Sequence, residues 1–395
     1  MKVSYTDEIT SLRERLRAFI YDELLPFEEE HGIDLEKEVP LEAMKWVRER
    51  SRELGFYGIT LPEAYGGKNL GLQALCVLKE ELARSGAMLW GFVLGEKGGV
   101  LRIGQMLESF TPFQIEKYVR PVVDGNMNCC FALTEPNAGS DARAIETTAV
   151  KDGNEFIING KKHFISSSPY SDYAIVICRD QIDAENVGAT AFIIEKQTAG
   201  QSGFELGDLQ IPISGEAETA ELLFTNCRVP EENMIGERGK GLLLGLNRIS
   251  QNRAIWGVTY LGVAERAFEL ALERVNSRQQ FGRKIGEFQA IQHMLANMAT
   301  EIYAARSMVY DAIERIENGD DNRAIASMVK LYTSEIAGRV VDSALQIYGG
   351  QGLMKGHPIE RMYRSARMFR ILTGTSEIQK NTIARDLLKG NVEIY

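Results

Sequence analysis

Ile9, Leu12, Leu16 and Ile20 recur at steps of three and four with polar side chains between them, the repeat of a single apolar helix face. The same pattern occupies residues 41–54 and 72–86, so the chain from about Tyr5 to about Asn128 is expected to be mostly helical. Pro62 with the paired Gly66 and Gly67 breaks the pattern at residues 61–67, as a tight loop requires. Beyond Phe131 the period falls to two. Residues 149–158, 173–178, 190–195 and 219–224 are short β-branched or aliphatic runs separated by Gly, Asn, Asp and Pro, which predicts a small β domain ending near Pro230. From about Leu242 the helical repeat returns. Phe288, Ile291, Leu295, Met298, Ile302, Ala305, Val309, Ala312 and Ile316 alternate steps of three and four, the seam of a long helix in an antiparallel bundle. Asn318, Gly319, Asp320 and Asp321 end it, residues 323–347 form a partner helix, and a last helix covers 376–388. The expected organisation is an N-terminal helical domain (1–130), a β domain (131–235) and a C-terminal helical bundle (236–395).

Chemistry concentrates at residues 131–141, which read F-A-L-T-E-P-N-A-G-S-D. The first residues suit a buried strand, and Pro136, Asn137 and Gly139 force a turn where it ends. Such a turn can leave consecutive backbone N–H groups unpaired, donors suited to a ring edge, a phosphate or a carbonyl oxygen, and Thr134 and Ser140 add hydroxyls. Taken alone, the stretch reads first as an ordinary polar loop after a strand. The G-E-R-G-K-G run at 236–241 has neither the dinucleotide-binding nor the Walker spacing, so a hinge leading into a helix is expected there.

The order of several such runs changes the weighing. Residues 134–141 (T-E-P-N-A-G-S-D) resemble the T-E-P-x-A-G-S-D segment of the acyl-CoA dehydrogenase family. The likeness extends through L-P-E-A-Y-G-G at 61–67, I-N-G-K-K-H-F-I-S at 158–166, R-Q-Q-F-G at 278–282, Q-I-Y-G-G-Q-G at 346–352 and G-T-S-E-I-Q at 374–379. It implies an α+β fold: an N-terminal helical domain, a middle β-barrel domain and a C-terminal four-helix bundle. It also implies FAD, bound by residues from two subunits of a homo-oligomer, a tetramer. Phe131, Leu133, Thr134, Gly139 and Ser140 fall on the flavin-side segment, and Phe164, Ile165 and Ser166 match the family's W-I-T. Phe keeps the stacking surface of Trp there, and Ser keeps the donor of Thr. Arg278, Phe281, Phe288 and Gln289 match the adenosine side, Gln346, Gly349 and Gly350 the contacts from the neighbouring subunit, and Thr375 and Glu377 the pyrophosphate turn. Ser140, Ser250, Arg253, Thr373 and Gly374 are the positions expected to meet an acyl-CoA, Arg253 on the CoA side. Trp90, Phe92 and Glu96 fall where the family forms its acyl pocket, although each aromatic, taken singly, reads first as core packing.

Composition narrows the setting. A net charge of −10 argues against a nucleic-acid surface. No run reaches transmembrane length, and the charged, amphipathic opening is unlike a secretion signal. Five cysteines without C-x-x-C spacing predict free thiols in a reducing, cytoplasmic setting, and four isolated histidines predict no metal. Nothing resembles a nicotinamide site, so electrons are expected to pass to or from a protein such as electron-transfer flavoprotein.

The resemblance implies removal of a proton from the carbon α to a thioester, with hydride passing between the β carbon and the flavin. That proton needs a carboxylate, and loss of a general base costs about 10²–10⁴-fold. Most relatives hold a glutamate immediately before the G-T turn, where this chain has Thr373; others hold it before the arginine matching Arg253, where this chain has Asn252. Four readings stay open: a base from elsewhere, with Glu96 the candidate; an enoyl-CoA reductase or an enzyme of conjugated or cyclic acyl groups; a catalytically silent subunit paired with an active relative; and a flavin-dependent oxygenase.

Overall fold

The structure, a computed structural model, describes residues 5–182, 187–196, 203–319 and 323–392. In chain order its regular elements are helices α1 (Asp7–Phe19), α2 (Leu25–Glu30), α3 (Leu41–Glu53), α4 (Gly71–Ser85), α5 (Trp90–Val93), α6 (Pro112–Gln114) and α7 (Arg120–Val123). Strands β1 (Cys129–Ala132), β2 (Thr148–Asp152), β3 (Glu155–Ser166), β4 (Tyr173–Gln181), β5 (Val187–Glu195), β6 (Phe204–Leu209), β7 (Thr219–Pro230) and β8 (Met234–Ile235) follow. Helix α8 (Gly241–Ser277), a hairpin of β9 (Gln279–Gln280) and β10 (Arg283–Lys284), and helices α9 (Gln289–Glu317), α10 (Arg323–Tyr348), α11 (Pro358–Phe369) and α12 (Ser376–Leu388) complete the chain. They gather into two compact units, one from Met1–His31, Leu70–Trp90 and Ser250–Tyr395, the other from Gly32–Asn69 and Gly91–Ile249. The N-terminal helices are thus shared out, α1, α2 and α4 with the C-terminal helices and α3 with the sheet.

In the helical unit α10 packs against α9, α11 and α12. Its stripe Ile336, Val340, Ala344 and Ile347 is buried and joins Tyr260, Leu261, Ala264 and Ala271 of α8 in a shared core. The expected seam of α9 is buried at Met298, Ala305, Val309 and Ala312, but Phe288 stands outside the helix as its N-cap. Asp320 and Asp321 lie outside the described residues. Helix α11 lies outside the expected elements, although its buried Ile359, Met362, Ala366 and Phe369 keep steps of three and four between arginines on the other faces. Charged groups fasten α4 to its neighbours. Glu81 takes Arg13 Nε at 2.6 Å and Arg17 Nε at 2.8 Å, and Glu317 Oε1 accepts the Leu72 and Gln73 N–H groups at the start of α4. Arg306 bridges Glu80 and Glu265, and the Tyr310 hydroxyl donates to Glu80. Burial, and then the neighbouring Glu80, raises Glu265 to about 8, and its buried Oε2 has no hydrogen-bond partner.

The second unit is built on an eight-stranded sheet in the order β6-β7-β3-β2-β4-β5-β8, with β1 paired in parallel to β4. Period-two alternation on β4 sends Tyr173, Ile175 and Ile177 into one core cluster and Ala174, Val176 and Cys178 into another. Both faces are therefore covered. The single run expected at 149–158 is instead two strands, because Gly153, at φ +62°, turns the chain so that Asp152 pairs with Glu155. Strand β6 is not marked in the sequence pattern; it is short and polar and lies at the sheet edge against β7. In the 236–241 loop Arg238 meets the buried Asp180 with two 2.7 Å bonds, and the Gly239 N–H donates to Thr190. The loop is anchored to the sheet and leads into α8.

After β1 the chain closes the tight turn expected at Pro136, with the Glu135 and Ala138 backbones exchanging hydrogen bonds of 3.0 and 3.2 Å. The Glu135 carboxylate turns inward. It accepts the Glu146 and Thr147 N–H groups at 2.5 and 3.0 Å and the Lys162 ammonium at 2.6 Å, and that ammonium also donates to Leu133 O at 3.1 Å. Both side chains are almost fully enclosed, at 2% and 0% exposure. Burial opposes the charge on Glu135, but Lys162 and the amide donors outweigh it and hold the carboxyl below its usual range. All five cysteines are free and buried, and burial pushes the Cys129 thiol up to about 11 and Cys178 to about 12.

Lys162→Met strands the Glu135 charge and is expected to cost about 3–5 kcal/mol in urea unfolding; a loss under about 1 kcal/mol would show that the ammonium is dispensable. Glu265, with its folded pKa raised, contributes stability that is complete below about pH 4.5 and lost as pH rises through about 8. Glu265→Gln should therefore match wild type at pH 5 and exceed it at pH 9 by at least about 1.4 kcal/mol, the worth of one pKa unit. Parallel stability curves for the two proteins would refute this.

Candidate active site

In the sheet unit, the end of β1, the turn that follows and the end of β3 come together. The His163 N–H donates to Thr134 O at 2.8 Å, which sets residue 164 beside the turn. Phe164 sits at φ +57°, costly for an aromatic residue, and is 61% exposed. Two contacts hold it there: the His163 ring stacked at 4.0 Å and 9°, and a 2.7 Å bond from its N–H to Gln210 Oε1. Ile165 is buried below, and Ser166 Oγ lies 3.5 Å from Thr219 Oγ1. Leu133 is buried, Phe131 is half-buried with the Arg248 guanidinium 4.7 Å from its ring centre, and Gly139 and Ser140 are exposed. Among the described residues the N–H groups of Gly139 and Ser140 meet no acceptor, in keeping with the donor-rich turn expected from sequence. Arg248 is buried, and burial and then Arg102 bring it down to about 10, with Glu96 opposing. Glu96 is itself enclosed, and Phe92 is fully buried against Arg48 and Tyr170. Gln210 and Arg248 carry no motif, and His163 is marked only by its place in the 158–166 run.

In the helical unit Phe281 is 92% exposed at φ +54°, touching Phe288 edge-on at 6.1 Å, and the Arg283 guanidinium lies 4.1 Å from the Phe288 ring centre. Arg278 and Gln289 are exposed. Gln346, Gly349 and Gly350 are exposed at the end of α10, and a Cβ added to either glycine would meet no atom within 4 Å. The open aromatic faces and the free space over the glycines of this unit suit a ligand with planar rings.

A second constellation in the helical unit surrounds residues 373–375. Thr373 and Gly374 are consecutive left-handed residues, at φ +58° and +93°. Their carbonyls are gripped from below. Thr373 O receives Arg253 Nε at 3.4 Å and Gln379 Nε2 at 3.3 Å; Gly374 O receives Lys330 Nζ and Gln379 Nε2, both at 2.8 Å. Arg253 also donates to Ser327 Oγ at 3.2 Å. Thr375 caps α12 by accepting the Ile378 N–H, Glu377 is exposed, and Ser250 and Asn252 are half-buried on α8. Burial, then Arg323 and Arg385, brings Arg253 down to about 10; burial, then Arg253, brings Lys330 down to about 8. Neither cation meets a carboxylate at ion-pair distance among the described residues. Lys330 and Gln379 belong to no sequence run that singled them out for this turn, though Gln379 closes G-T-S-E-I-Q. Trp90 packs edge-on against Trp256, one helical turn beyond Arg253.

Among the described residues no group of His, Cys, Asp and Glu has the arrangement of a metal site, and no helix is long and apolar enough to cross a membrane.

Comparison with known proteins gives matches along nearly the whole chain. The N-terminal, middle and C-terminal domains of acyl-CoA dehydrogenase match residues 6–126, 130–227 and 239–388. The chain is 36% identical to the 3-(aryl)acrylate reductase of Clostridium sporogenes, over 98% of this chain and 100% of that one. It is 35% identical to subunit CarC of the caffeyl-CoA reductase-Etf complex of Acetobacterium woodii, over 87% and 89%. The fold superposes on butyryl-CoA dehydrogenase from Megasphaera elsdenii with a TM-score of 0.87 and 31% identity, covering 98% of this chain and 100% of that one. With helical N- and C-terminal domains, a central sheet domain and these matches, the chain belongs to the acyl-CoA dehydrogenase family of flavoproteins, enzymes that oxidise or reduce CH–CH bonds of acyl-CoA thioesters.

Proposed function

We propose that this enzyme uses FAD to reduce the double bond of a conjugated 2-enoyl-CoA, and that dehydrogenation of simple saturated acyl-CoA is a minor activity. The observation that carries this reading is the neutral Thr373 on a turn held by Arg253 and Lys330, with no carboxylate paired to either among the described residues. A threonine hydroxyl is far too weak a base at neutral pH to take the α proton. Buried positive charge with no carboxylate at ion-pair distance among the described residues favours instead the negative charge that gathers on a thioester when its conjugated double bond is reduced. Relatives named as an arylacrylate reductase and a caffeyl-CoA reductase subunit support the same direction.

When bound, FAD supplies the hydride exchanged with the acyl β carbon. In this reading Phe131, Leu133, Thr134, Gly139, Ser140, Phe164, Ile165 and Ser166 hold its ring side. Arg278, Phe281, Phe288, Gln289, Gln346, Gly349, Gly350, Thr375 and Glu377 hold its adenosine side, from more than one subunit of a homotetramer. Ser140, Ser250, Arg253, Thr373 and Gly374 hold the thioester, Arg253 by charge and Thr373 by lining without taking a proton. Electrons arrive from an electron-transfer flavoprotein, as the name of the CarC complex suggests. Five free thiols suit a cytoplasmic setting.

Purified protein is expected to be yellow with flavin absorbance; a colourless protein that FAD cannot reconstitute would end the oxidoreductase reading. Thr373→Glu should raise anaerobic flavin bleaching by saturated acyl-CoA by about 10²-fold or more over wild type, since only the proton acceptor is new. Should wild type already oxidise saturated acyl-CoA quickly, the base lies elsewhere and Glu96→Gln becomes the decisive variant. No bleaching of either protein by any thioester, and no reoxidation of the reduced proteins by enoyl-CoA, would favour the silent subunit or the oxygenase.

A further inference from the structure

In a trans peptide the C=O and the following N–H point in opposite directions. The carbonyls of Thr373 and Gly374 face Arg253, Lys330 and Gln379, so the N–H groups of Gly374 and Thr375 face away from those donors. Among the described residues neither N–H meets an acceptor. A cation on the oxygen of a peptide group polarises it and makes its N–H a stronger donor. Lys330 is the cleaner case: it is 0% exposed, and among the described residues its ammonium donates to Gly374 O alone and has no carboxylate at ion-pair distance, although Glu335 and Glu377 act on it from farther away. A fully buried ammonium is expensive to keep. The oxygen it bonds belongs to the peptide whose N–H is that of Thr375. The backbone there is left-handed at a β-branched residue, a conformation that relaxes unless something holds it.

We propose that Lys330 is a positioning residue for the active-site turn: it keeps residues 373–375 in their left-handed path and strengthens the N–H groups of that turn as donors to the carbonyl oxygen of a bound thioester. The donor role rests on the acyl-CoA reading above; the hold on the turn does not.

The test compares two ligands by calorimetry on the purified protein, 3-phenylpropanoyl-CoA and S-(3-phenylpropyl)-CoA, which differ only in the carbonyl oxygen. Wild type should prefer the thioester. Lys330→Met, and Lys330→Gln, which keeps a donor without charge, should each lower that preference about tenfold, and Lys330→Arg should restore it to within about threefold. A preference unchanged in both neutral variants, or equal losses for the two ligands as a purely structural role would give, overturns the donor role. Binding of neither ligand by wild type would be a failure of the acyl-CoA reading instead. Lys330 is then judged by hydrogen exchange at the Ser376 N–H, which bonds Arg370 O across the turn at 2.9 Å. That amide should exchange at least about tenfold faster in Lys330→Met while the amides of α10 keep their rates; an unchanged rate at Ser376 overturns the hold on the turn.

Discussion

The enclosed pair of Glu135 and Lys162 is the constraint on which the sheet unit's working surface depends. Removing two charges from water costs several kcal/mol each, so the pair is a poor source of stability unless every remaining lone pair and proton is also bonded. Here they are. The carboxylate gathers two backbone amides from residues 146 and 147, and the ammonium reaches back to Leu133 O, so one interaction ties the strand, the turn and β3 together. The step from Lys162 to His163 and on to Phe164 then has little freedom, and an aromatic ring is held outward in a conformation it would not choose by itself.

The turn at 373–375 is governed by the opposite arrangement, two cations that among the described residues meet no carboxylate at ion-pair distance. In the relatives that the motifs resemble, a glutamate at this place would supply the missing negative charge. Its replacement by threonine removes a base, and it also changes the sign of the local field. The same two cations that would steady a carboxylate in a dehydrogenase become, over a neutral side chain, a standing attraction for electron density arriving on a thioester. On the proposed function, one substitution thus shifts the site from taking a proton toward accepting charge.

Much of this was legible in the residues. Helical periodicity located α3, α4, α9 and α10 closely, because each buries an apolar stripe. It left out α11, although the short stripe there keeps steps of three and four, and it failed where a two-residue turn hides inside an apolar run, at Gly153. The turn after β1 was readable because Pro and Gly leave few alternatives there. The grip on the 373–375 turn was not, since a buried lysine that serves a single backbone oxygen looks, in sequence, like any surface lysine on a helix. The division of the N-terminal helices between two units was equally hidden: it rests on Glu80, Glu81 and Glu317 finding arginines and amides far away along the chain.

The placement of the thiols has a consequence of a different kind. A reduced flavin exposed to air passes electrons to oxygen and yields peroxide, and the protein nearest the source receives most of it. Peroxide oxidises cysteine through the thiolate. Every cysteine of this chain is buried, and burial holds each as the neutral thiol far above physiological pH. The folded enzyme therefore offers its own by-product no thiolate to attack, and oxidative inactivation through cysteine must wait for the chain to open.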